Sequence, residues 1–239
     1  MVTLENKTVL VTGAGRGLGK AIAQRFHDLG AHVIAVARTQ AELDTVFNHT
    51  HHCETWCEDV TADAFLARIE QLSSLDVLVN NAGSNRPEPF AQVSDANLDF
   101  VLDLNVRTVF RVARSAVRVM KRHGGGAIIH MSSQMGRVGS PERTVYCMTK
   151  HAVEGLTKAM AVELGSDNIR VNAVAPTFIE TPLTQPMLDK PEFKAFVDRM
   201  IPLGRIGQPE DVADAVVYLA TASMVTGTSL LVDGGWTAH

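Results

Sequence analysis

The sequence predicts an α/β fold in which a doubly wound, parallel sheet of seven strands carries helices on both faces. Short apolar runs, typical of strands buried on both faces, alternate along the chain with amphipathic helical patterns. A glycine-rich loop follows the first of these runs. The 239 residues are 46% apolar and 20% charged, which suits one globular domain with a sizeable core. We therefore expect a single domain over residues 1–239.

Composition argues against several classes of protein. A net charge of -4 gives no sign of a nucleic-acid-binding surface. The chain has no apolar run of eighteen residues that would predict a membrane span, and its first residues lack a signal-peptide pattern. Three cysteines do not suggest a disulfide framework. We expect a cytoplasmic protein that binds neither nucleic acids nor membranes.

The first predicted strand, residues 7–12, leads into a glycine-rich loop that is followed by a helix ending at Gly30. Glycines let the backbone approach a pyrophosphate, and the first N–H groups of the helix favour its negative charge. Strand, loop and helix together indicate a dinucleotide-binding turn and hence a Rossmann-type sheet. Its expected cofactor-binding residues are Gly13, Gly15, Arg16, Gly17, Leu18 and Gly19.

The second strand, residues 32–37, ends next to a possible determinant of cofactor choice. In dinucleotide-binding folds an acidic residue after this strand binds the ribose 2′-hydroxyl, whereas an arginine accommodates a 2′-phosphate. Here Arg38 and Thr39 follow, and no carboxylate appears before Glu42. With Arg16 nearby, NADP(H) is preferred and NAD(H) remains possible. Alternatively, both arginines simply face the solvent.

Residues 49–59 are rich in side chains that could bind a metal. The candidates are His49, His51, His52, Cys53 and Cys57. Their spacing lacks the paired ligands with a distant partner set that a zinc site requires, so no metal site is predicted. Residues 53–59 instead fit a third strand. At its end Asp59, followed by Val60, could reach the adenine amino group.

A helix over residues 62–72 and a strand over 75–79 lead to Asn80, Asn81, Ala82 and Gly83. Small and amide residues at a strand's carboxyl end lie where open α/β sheets bind ligands, and a glycine allows close backbone approach. The sequence then predicts one long helix, from about 97 to 122, with Asn105 inside it. This asparagine could pack, kink the helix or hold a water.

A strand over residues 127–131 precedes Ser133, and Tyr146 and Lys150 follow with helical spacing. Residues four apart share one helix face, so the lysine should lower the pKa of the tyrosine from about 10 towards neutrality. Such a tyrosine can act as a general acid/base. The hydroxyls of Ser133 and Tyr146 could then polarise one carbonyl oxygen for hydride attack. Taken alone, this tyrosine–lysine spacing also occurs by chance in many helices.

The remaining pattern gives a strand over residues 169–175, a helix over 208–219 and a last strand from Ser229. Residues 182–205 are rich in proline, methionine and phenylalanine. An insertion of this kind after a sheet strand is typical of a mobile lid over a substrate.

The motifs together resemble those of short-chain dehydrogenases/reductases over nearly the whole chain. The matching residues are Thr12, Gly13, Gly17, Gly19, Asp59, Asn80 to Gly83, Asn105, Ser133, Tyr146, Lys150, Asn172 and Pro176. The resemblance implies that Tyr146 is the general acid/base and that Ser133 orients the carbonyl. It implies that Lys150 binds the nicotinamide ribose and lowers the pKa of the tyrosine, and that Asn105 holds a water in a proton relay through Lys150.

The resemblance also implies further cofactor contacts and an assembly. Thr181 and the backbone of Ile179 would contact the nicotinamide carboxamide, with Pro176, Tyr146 and Lys150 nearby. Asp59 and Val60 would lie at the adenine, and Asn81, Ala82 and Gly83 along the cofactor. A homotetramer is expected, with the helices of Asn105 and Tyr146 at one interface. Thr177 departs from the glycine that most members carry, although L-xylulose reductases also have threonine there.

Our main functional hypothesis is an NADP(H)-dependent oxidoreductase that transfers hydride between the nicotinamide and a ketone or secondary alcohol. The expected substrate is a small sugar, polyol or 3-oxo compound. A 3-oxoacyl-carrier-protein reductase is one alternative, since a helix rich in basic residues could bind an acidic carrier, unless it is merely solvated. Its basic residues are Arg107, Arg111, Arg114, Arg118, Lys121 and Arg122. The other alternative is a non-catalytic, cofactor-binding regulatory protein. Such a protein would not need all four of Asn105, Ser133, Tyr146 and Lys150.

Overall fold

Seven parallel strands form one sheet in the computed structural model, which describes residues 3–47 and 53–238. The strands are β1 (Thr8–Thr12), β2 (His32–Ala37), β3 (Cys53–Cys57), β4 (Val77–Asn80), β5 (Gly126–Met131), β6 (Ile169–Pro176) and β7 (Ser229–Val232). Their spatial order is β3-β2-β1-β4-β5-β6-β7, so the chain reverses its winding direction between β1 and β4. The predicted doubly wound sheet of seven strands is therefore confirmed.

Helices cover both faces of the sheet, as the fold class requires. They are α1 (Gly17–Asp28), α2 (Gln40–Leu43), α3 (Asp63–Glu70), α4 (Asp95–Leu102), α5 (Val109–Arg122), α6 (Thr144–Leu164), α7 (Gln185–Leu188), α8 (Pro191–Met200) and α9 (Pro209–Thr221). Side chains alternate across a strand, and β1 shows this directly. Val9 and Val11 pack with Phe26 of α1, whereas Leu10 packs with Phe65 of α3. Each face thus has its own apolar core.

The predicted long helix is interrupted at Asn105. Between α4 and α5 the chain forms a π-helical segment, Asp103–Thr108, which contains this asparagine. Segments of this kind are often found at functional sites. Helical turns thus run through the whole predicted range of about 97–122, but helical periodicity did not distinguish the π-turn from an α-turn.

The segment 182–205 holds α7 and α8 and has a small core of its own. Leu188, Val197 and Ile201 pack with Trp236, apart from the two main cores. The ring of Trp236 also contacts Phe196, with centroids 5.8 Å apart. Helices therefore occupy the segment in which the sequence predicts a lid.

Two expectations about metals and membranes can be compared with the structure. His49, His51 and His52 lie outside the described residues. Over residues 3–47 and 53–238 no group of three or more candidate ligands could hold a metal ion. Over the same ranges, no helix combines the length and the apolar character needed to cross a membrane.

Candidate active site

The carboxyl ends of β1 and β4 are joined by a network around Thr12 and Asn81. The Thr12 hydroxyl accepts hydrogen bonds from the backbone N–H groups of Asn81 and Ala82, each 3.0 Å long. The Asn81 amide donates in turn to the backbone carbonyls of Thr12 (2.9 Å) and Gly13 (3.2 Å). Thr12 was not among the predicted site residues. Its side chain fixes the glycine loop against the loop after β4.

Two properties of the glycine loop require glycine. Some positions adopt a positive φ, and others leave no space for a side chain. Gly13 and Gly17 have φ angles of 67° and 54°, in the left-handed region that favours glycine. A Cβ at Gly19 would lie 2.1 Å from the carbonyl oxygen of Gly13. The N-cap residue Arg16 makes no side-chain hydrogen bond to the start of α1, whose first N–H groups have no side-chain acceptor among the described residues. Such a cradle fits the pyrophosphate of a dinucleotide.

We call the group formed by Gly15, Arg16, Arg38 and Asp59, where the sequence predicts the adenine half of a cofactor, the adenine end. Gly15 is buried, and the other three residues are exposed. Arg16 lies 3.7 Å from the carboxylate of Glu42, whereas Arg38 forms no ion pair with any described residue. The Asp59 carboxylate accepts two hydrogen bonds from Thr61, and these bonds, more than the charge of Arg38, lower the pKa of Asp59. The predicted members Leu18, Thr39 and Val60 are half-buried, exposed and buried, respectively.

Ser133 and Tyr146 come together beyond the end of β5. Ser133 is 8% exposed, and its hydroxyl lies close enough to Tyr146 to lower the pKa of the tyrosine. The same oxygen lies 3.5 Å from the carbonyl of Pro176 and accepts a 3.2 Å bond from the N–H of Met135. Ser132 points the other way, towards Gly136, where an added Cβ would lie 2.8 Å from its hydroxyl oxygen. The choice of Ser133 over Ser132 therefore agrees with the geometry.

The pKa of Tyr146 departs from the expectation. Burial of the hydroxyl raises the pKa of Tyr146 to about 12, although the nearby Ser133 hydroxyl and the charge of Arg143 oppose this rise. The residue as a whole is only half-buried, so it is the surroundings of the hydroxyl that matter. The prediction that Lys150 lowers the pKa of this tyrosine was wrong for this structure. The tyrosine is protonated at neutral pH and is a hydrogen-bond donor.

Lys150 is fixed by the backbone of β5 rather than by the tyrosine. Its ammonium donates a 2.7 Å hydrogen bond to the carbonyl of Met131 and lies 5.4 Å from the centre of the Tyr146 ring. Burial lowers the pKa of Lys150 to about 8, and the negative charge of Glu154 works against this shift. Below that pH the site holds a buried positive charge close to the tyrosine.

The Asn105 side chain joins three parts of the site. Its carbonyl oxygen accepts from the N–H of Ser84 (2.9 Å), and its amide donates to the carbonyl of Ser84 (2.8 Å) and to the hydroxyl of Thr149 (3.2 Å). The Thr149 hydroxyl donates in turn to the backbone carbonyl of Tyr146. Asn105 thus ties the loop after β4 to α6. The sequence left open whether Asn105 packs, kinks the helix or holds a water. Its side chain packs and positions these two segments.

The predicted nicotinamide contacts lie beside the glycine loop. Ile179 is buried, and Thr181 hydrogen-bonds Thr184, the N-cap of α7, through both its N–H and its hydroxyl. A Cβ at Gly17 would lie 3.6 Å from the Cβ of Thr181. The two segments therefore lie side by side, as the sequence-based assignment of both to one cofactor would require.

Sequence reasoning missed other side chains at this edge, chiefly Arg143 and Met187. Arg143 is the N-cap residue of α6, and its guanidinium donates to the sulfur of Met187 at 3.6 Å. No motif singles out either residue. Only the position of Arg143, three residues before Tyr146, could have pointed to it.

The fold and the paired hydroxyls define a dinucleotide-dependent oxidoreductase of the Rossmann type, and comparison with known proteins gives the family. A family model described as enoyl-(acyl carrier protein) reductase matches residues 13–237. The chain belongs to the short-chain dehydrogenase/reductase family, whose members are oxidoreductases acting on CH–OH groups.

Individual relatives within this family differ in their substrates. L-xylulose reductase from Bos taurus is 41% identical over 240 residues, covering 98% of each chain. A 3-oxoacyl-(acyl-carrier-protein) reductase from Rickettsia bellii is 36% identical over 239 residues, again covering 98% of each. The structure of a gluconate 5-dehydrogenase from Burkholderia cenocepacia, in complex with NADP and tartrate, has a TM-score of 0.94 at 30% identity. The match covers 100% of this chain and 98% of that one.

Proposed function

We propose that this protein uses NADP(H) to interconvert a ketone and a secondary alcohol in a small sugar, polyol or 3-oxo compound. The observation that carries the proposal is that the hydroxyls of Ser133 and Tyr146 are neighbours, with the Lys150 ammonium 5.4 Å from the centre of the tyrosine ring. Two hydroxyl donors that converge on one carbonyl oxygen stabilise the negative charge that develops there.

Tyr146 is protonated at neutral pH, which is the state that reduction of a ketone requires of a proton donor. When bound, the nicotinamide supplies the hydride. Ser133 donates a hydrogen bond to the substrate oxygen and orients it. Tyr146, protonated at neutral pH, gives its proton to the same oxygen as the alcohol forms. Proton donation leaves Tyr146 as a tyrosinate, which must be protonated again before the next turnover.

In this proposal Lys150 also binds the nicotinamide ribose and relays a proton from a water held near Asn105 back to Tyr146. The Asn105 side chain is already committed to Ser84 and Thr149. Its part in a relay therefore falls to its backbone within the π-helical segment. The predicted contacts at Pro176, Ile179 and Thr181 belong to the same proposal.

The preference for NADP(H) rests mainly on Arg38. This arginine is exposed at the end of β2, and no carboxylate of a described residue forms an ion pair with it. A 2′-phosphate would give its guanidinium a charged acceptor. The related gluconate 5-dehydrogenase was solved with NADP, which supports the same choice. NAD(H) remains the alternative cofactor.

A carrier-protein substrate is the second candidate, because one relative is a 3-oxoacyl-carrier-protein reductase. The basic helix α5 gives it little support. Arg111, Arg118 and Lys121 form ion pairs with acidic side chains of this chain, and Arg107 pairs with Asp103. A face whose charges are already paired attracts an acidic carrier weakly. We therefore rank a free small molecule first.

We further propose a cytoplasmic homotetramer in which residues 182–205 act as the substrate lid. Phe110 of α5 and Met148 of α6 are 49% and 48% exposed, and these helices are the ones expected at an interface. Analytical ultracentrifugation would test the assembly: a monomer at micromolar concentration would contradict it.

Steady-state oxidation of NADPH and of NADH, measured by absorbance, tests the catalytic proposal. The ketones would be L-xylulose, methyl acetoacetate and a 3-oxoacyl thioester. We expect turnover of a small ketone with NADPH and a lower kcat/KM with NADH. If the protein binds NADPH but reduces none of a broad panel of ketones, the regulatory alternative is the better interpretation.

A further inference from the structure

Arg143 is half-buried, and its guanidinium has few hydrogen-bond acceptors among the described residues. Its guanidinium donates only to the Met187 sulfur, at 3.6 Å, among the residues that the structure describes. A thioether is a weak acceptor, whereas a guanidinium carries five N–H donors. Most of its hydrogen-bonding capacity is therefore unused within the described chain.

Arg170 provides the internal comparison, because burial lowers the pKa of both arginines. The guanidinium of Arg170 donates to the backbone carbonyls of Leu219, Ala220 and Val225, near the end of α9. Those carbonyls account for its burial as a structural residue. Arg143 has no such set, so burial of its charge serves no evident structural purpose.

The position of Arg143 connects the reacting hydroxyl with the lid. The guanidinium is close enough to Tyr146 for its positive charge to lower the pKa of that tyrosine. On its other side, Met187 belongs to α7 within residues 182–205. A ligand held by Arg143 would therefore lie between the catalytic hydroxyl and the lid.

Neighbouring carboxylates do not neutralise this arginine by direct contact. Glu142 is exposed and forms no ion pair with Arg143, although its charge raises the pKa of the arginine. The Glu88 backbone N–H binds the carbonyl of Glu142 at 3.1 Å, but the Glu88 carboxylate accepts from Asn97 instead. The described part of the chain thus supplies no direct counter-ion.

Building on the proposed function, we infer that Arg143 binds a carboxylate of the substrate, which makes the preferred substrate a small oxo acid rather than a neutral ketose. A planar guanidinium forms two parallel hydrogen bonds with a carboxylate. One cation also matches the single negative charge of a carboxylate, whereas a phosphate ester carries nearly two. The ketone of such a substrate would reach Ser133 and Tyr146 while its acid group stays under α7.

Matched pairs of charged and neutral ketones test this inference in the full-length protein. The pairs are acetoacetate with methyl acetoacetate, and 5-keto-D-gluconate with D-fructose. The variants are Arg143→Gln, Arg143→Lys and, as a control, Arg122→Gln, which makes the same change of charge at the opposite edge of the sheet. Arg122 is exposed at the end of α5, just before β5 begins.

We expect the wild-type enzyme to prefer the acid in at least one pair. Arg143→Gln should lower kcat/KM for that acid by roughly 10- to 100-fold, the usual effect of a charge-assisted hydrogen bond, and should change the neutral partner by less than about threefold. Arg143→Lys should restore part of the loss, and Arg122→Gln should resemble the wild type. The ratio within each pair cancels any loss of folded enzyme.

Three results would overturn the inference while leaving the proposed function intact. The wild type could show no preference for the acid in either pair. Arg143→Gln could lower both members of a pair equally, which would mean that Arg143 acts through Tyr146. Fructose 6-phosphate could be preferred to the oxo acids, which would assign the site to phosphate. By contrast, failure to oxidise NADPH with any ketone would contradict the proposed function itself.

Discussion

The proposed catalytic residues Ser133, Tyr146 and Lys150, which we call the catalytic end, lie on the same edge of the sheet as the adenine end, but the two ends are built differently. Ser133 and Lys150 are at most 8% exposed, and their polar groups have hydrogen-bond partners within the chain. Arg16 and Arg38 are exposed, and Arg16 meets Glu42 only at 3.7 Å. The fold fixes the first group, whereas solvent surrounds the second.

This difference indicates which property each end controls. Buried groups tied to the backbone hold the reacting atoms in one geometry, which is what the chemical step requires. Exposed charges are screened by salt and interact weakly with one another. Substitutions at the catalytic end should therefore affect turnover or folding, and substitutions at the adenine end should affect cofactor affinity alone.

The largest expected effect is that of Tyr146→Phe. Removing the hydroxyl removes the proton donor, so kcat for ketone reduction should fall by about 10³-fold. NADPH affinity, measured by fluorescence titration, should change by less than about threefold. Tyr218→Phe is the matched control, because Tyr218 on α9 is the other tyrosine of the chain and is 54% exposed. Normal turnover by Tyr146→Phe would refute the mechanism.

A second prediction concerns His130, which lies buried on β5 next to Met131. Burial, and then the charge of Lys150, lowers the pKa of His130 from 6.5 to about 4. Its Nδ1 lies 3.3 Å from the Asn80 amide, and its Nε2 has no partner among the described residues. The unfolded chain binds the proton more readily, so stability is fully present above about pH 6.5 and is lost as pH falls towards 4.

The loss of unfolding free energy over this range should reach about 3 kcal/mol, since one pKa unit corresponds to about 1.4 kcal/mol. Urea denaturation at several pH values would measure it. His130→Gln should flatten the slope between pH 6.5 and 4, whatever its effect on overall stability. His123→Gln, an exposed histidine, should leave the slope unchanged. An unaltered slope in His130→Gln would assign the acid sensitivity to other groups.

The same contrast explains what the sequence could predict. Apolar runs and the glycine loop predicted all seven strands, and the Tyr146 spacing predicted a shared helix face. The predicted direction of the pKa shift of Tyr146 was wrong. That direction depends on desolvation of the hydroxyl, which residue spacing does not reveal. The sequence also did not predict the π-helical segment at Asn105, or that Arg143 would have no ion-pair partner among the described residues, for a similar reason. Both features depend on tertiary contacts, that of Asn105 with Ser84 and that of Arg143 with Met187. No sequence motif links the two residues of either pair.

A third prediction addresses cofactor choice at the adenine end. Arg38→Ser should raise the Kd for NADPH by roughly 10- to 100-fold, because it removes charge-assisted hydrogen bonds to the 2′-phosphate. The Kd for NADH should stay within about threefold, and kcat with saturating NADPH should change little. Arg122→Ser supplies the control for charge. Equal losses for both cofactors would mean that Arg38 acts on the loop rather than on the phosphate.

The smallest expected effect is that of Glu42→Gln, and it tests how loosely the adenine end is held. The Glu42 carboxylate lies 3.7 Å from the Arg16 guanidinium and covers Gly15, where an added Cβ would be 2.8 Å from one of its oxygens. It therefore competes for Arg16 and places a negative charge near the proposed 2′-phosphate. Removing that charge should tighten NADPH binding about two- to threefold at low salt, but not NADH binding.

Ionic strength separates this electrostatic effect from a change in loop structure. The gain in NADPH affinity should shrink by 0.5 M salt, where screening acts over roughly 4 Å, if Glu42 acts through its charge. Glu163→Gln, an exposed residue near the end of α6, is the control at the opposite edge of the sheet. Weaker NADPH binding in Glu42→Gln would contradict the contrast drawn between the two ends of the site. It would mean that Glu42 positions Arg16 for the phosphate and that the adenine end is organised by its charges as firmly as the catalytic end is by its hydrogen bonds.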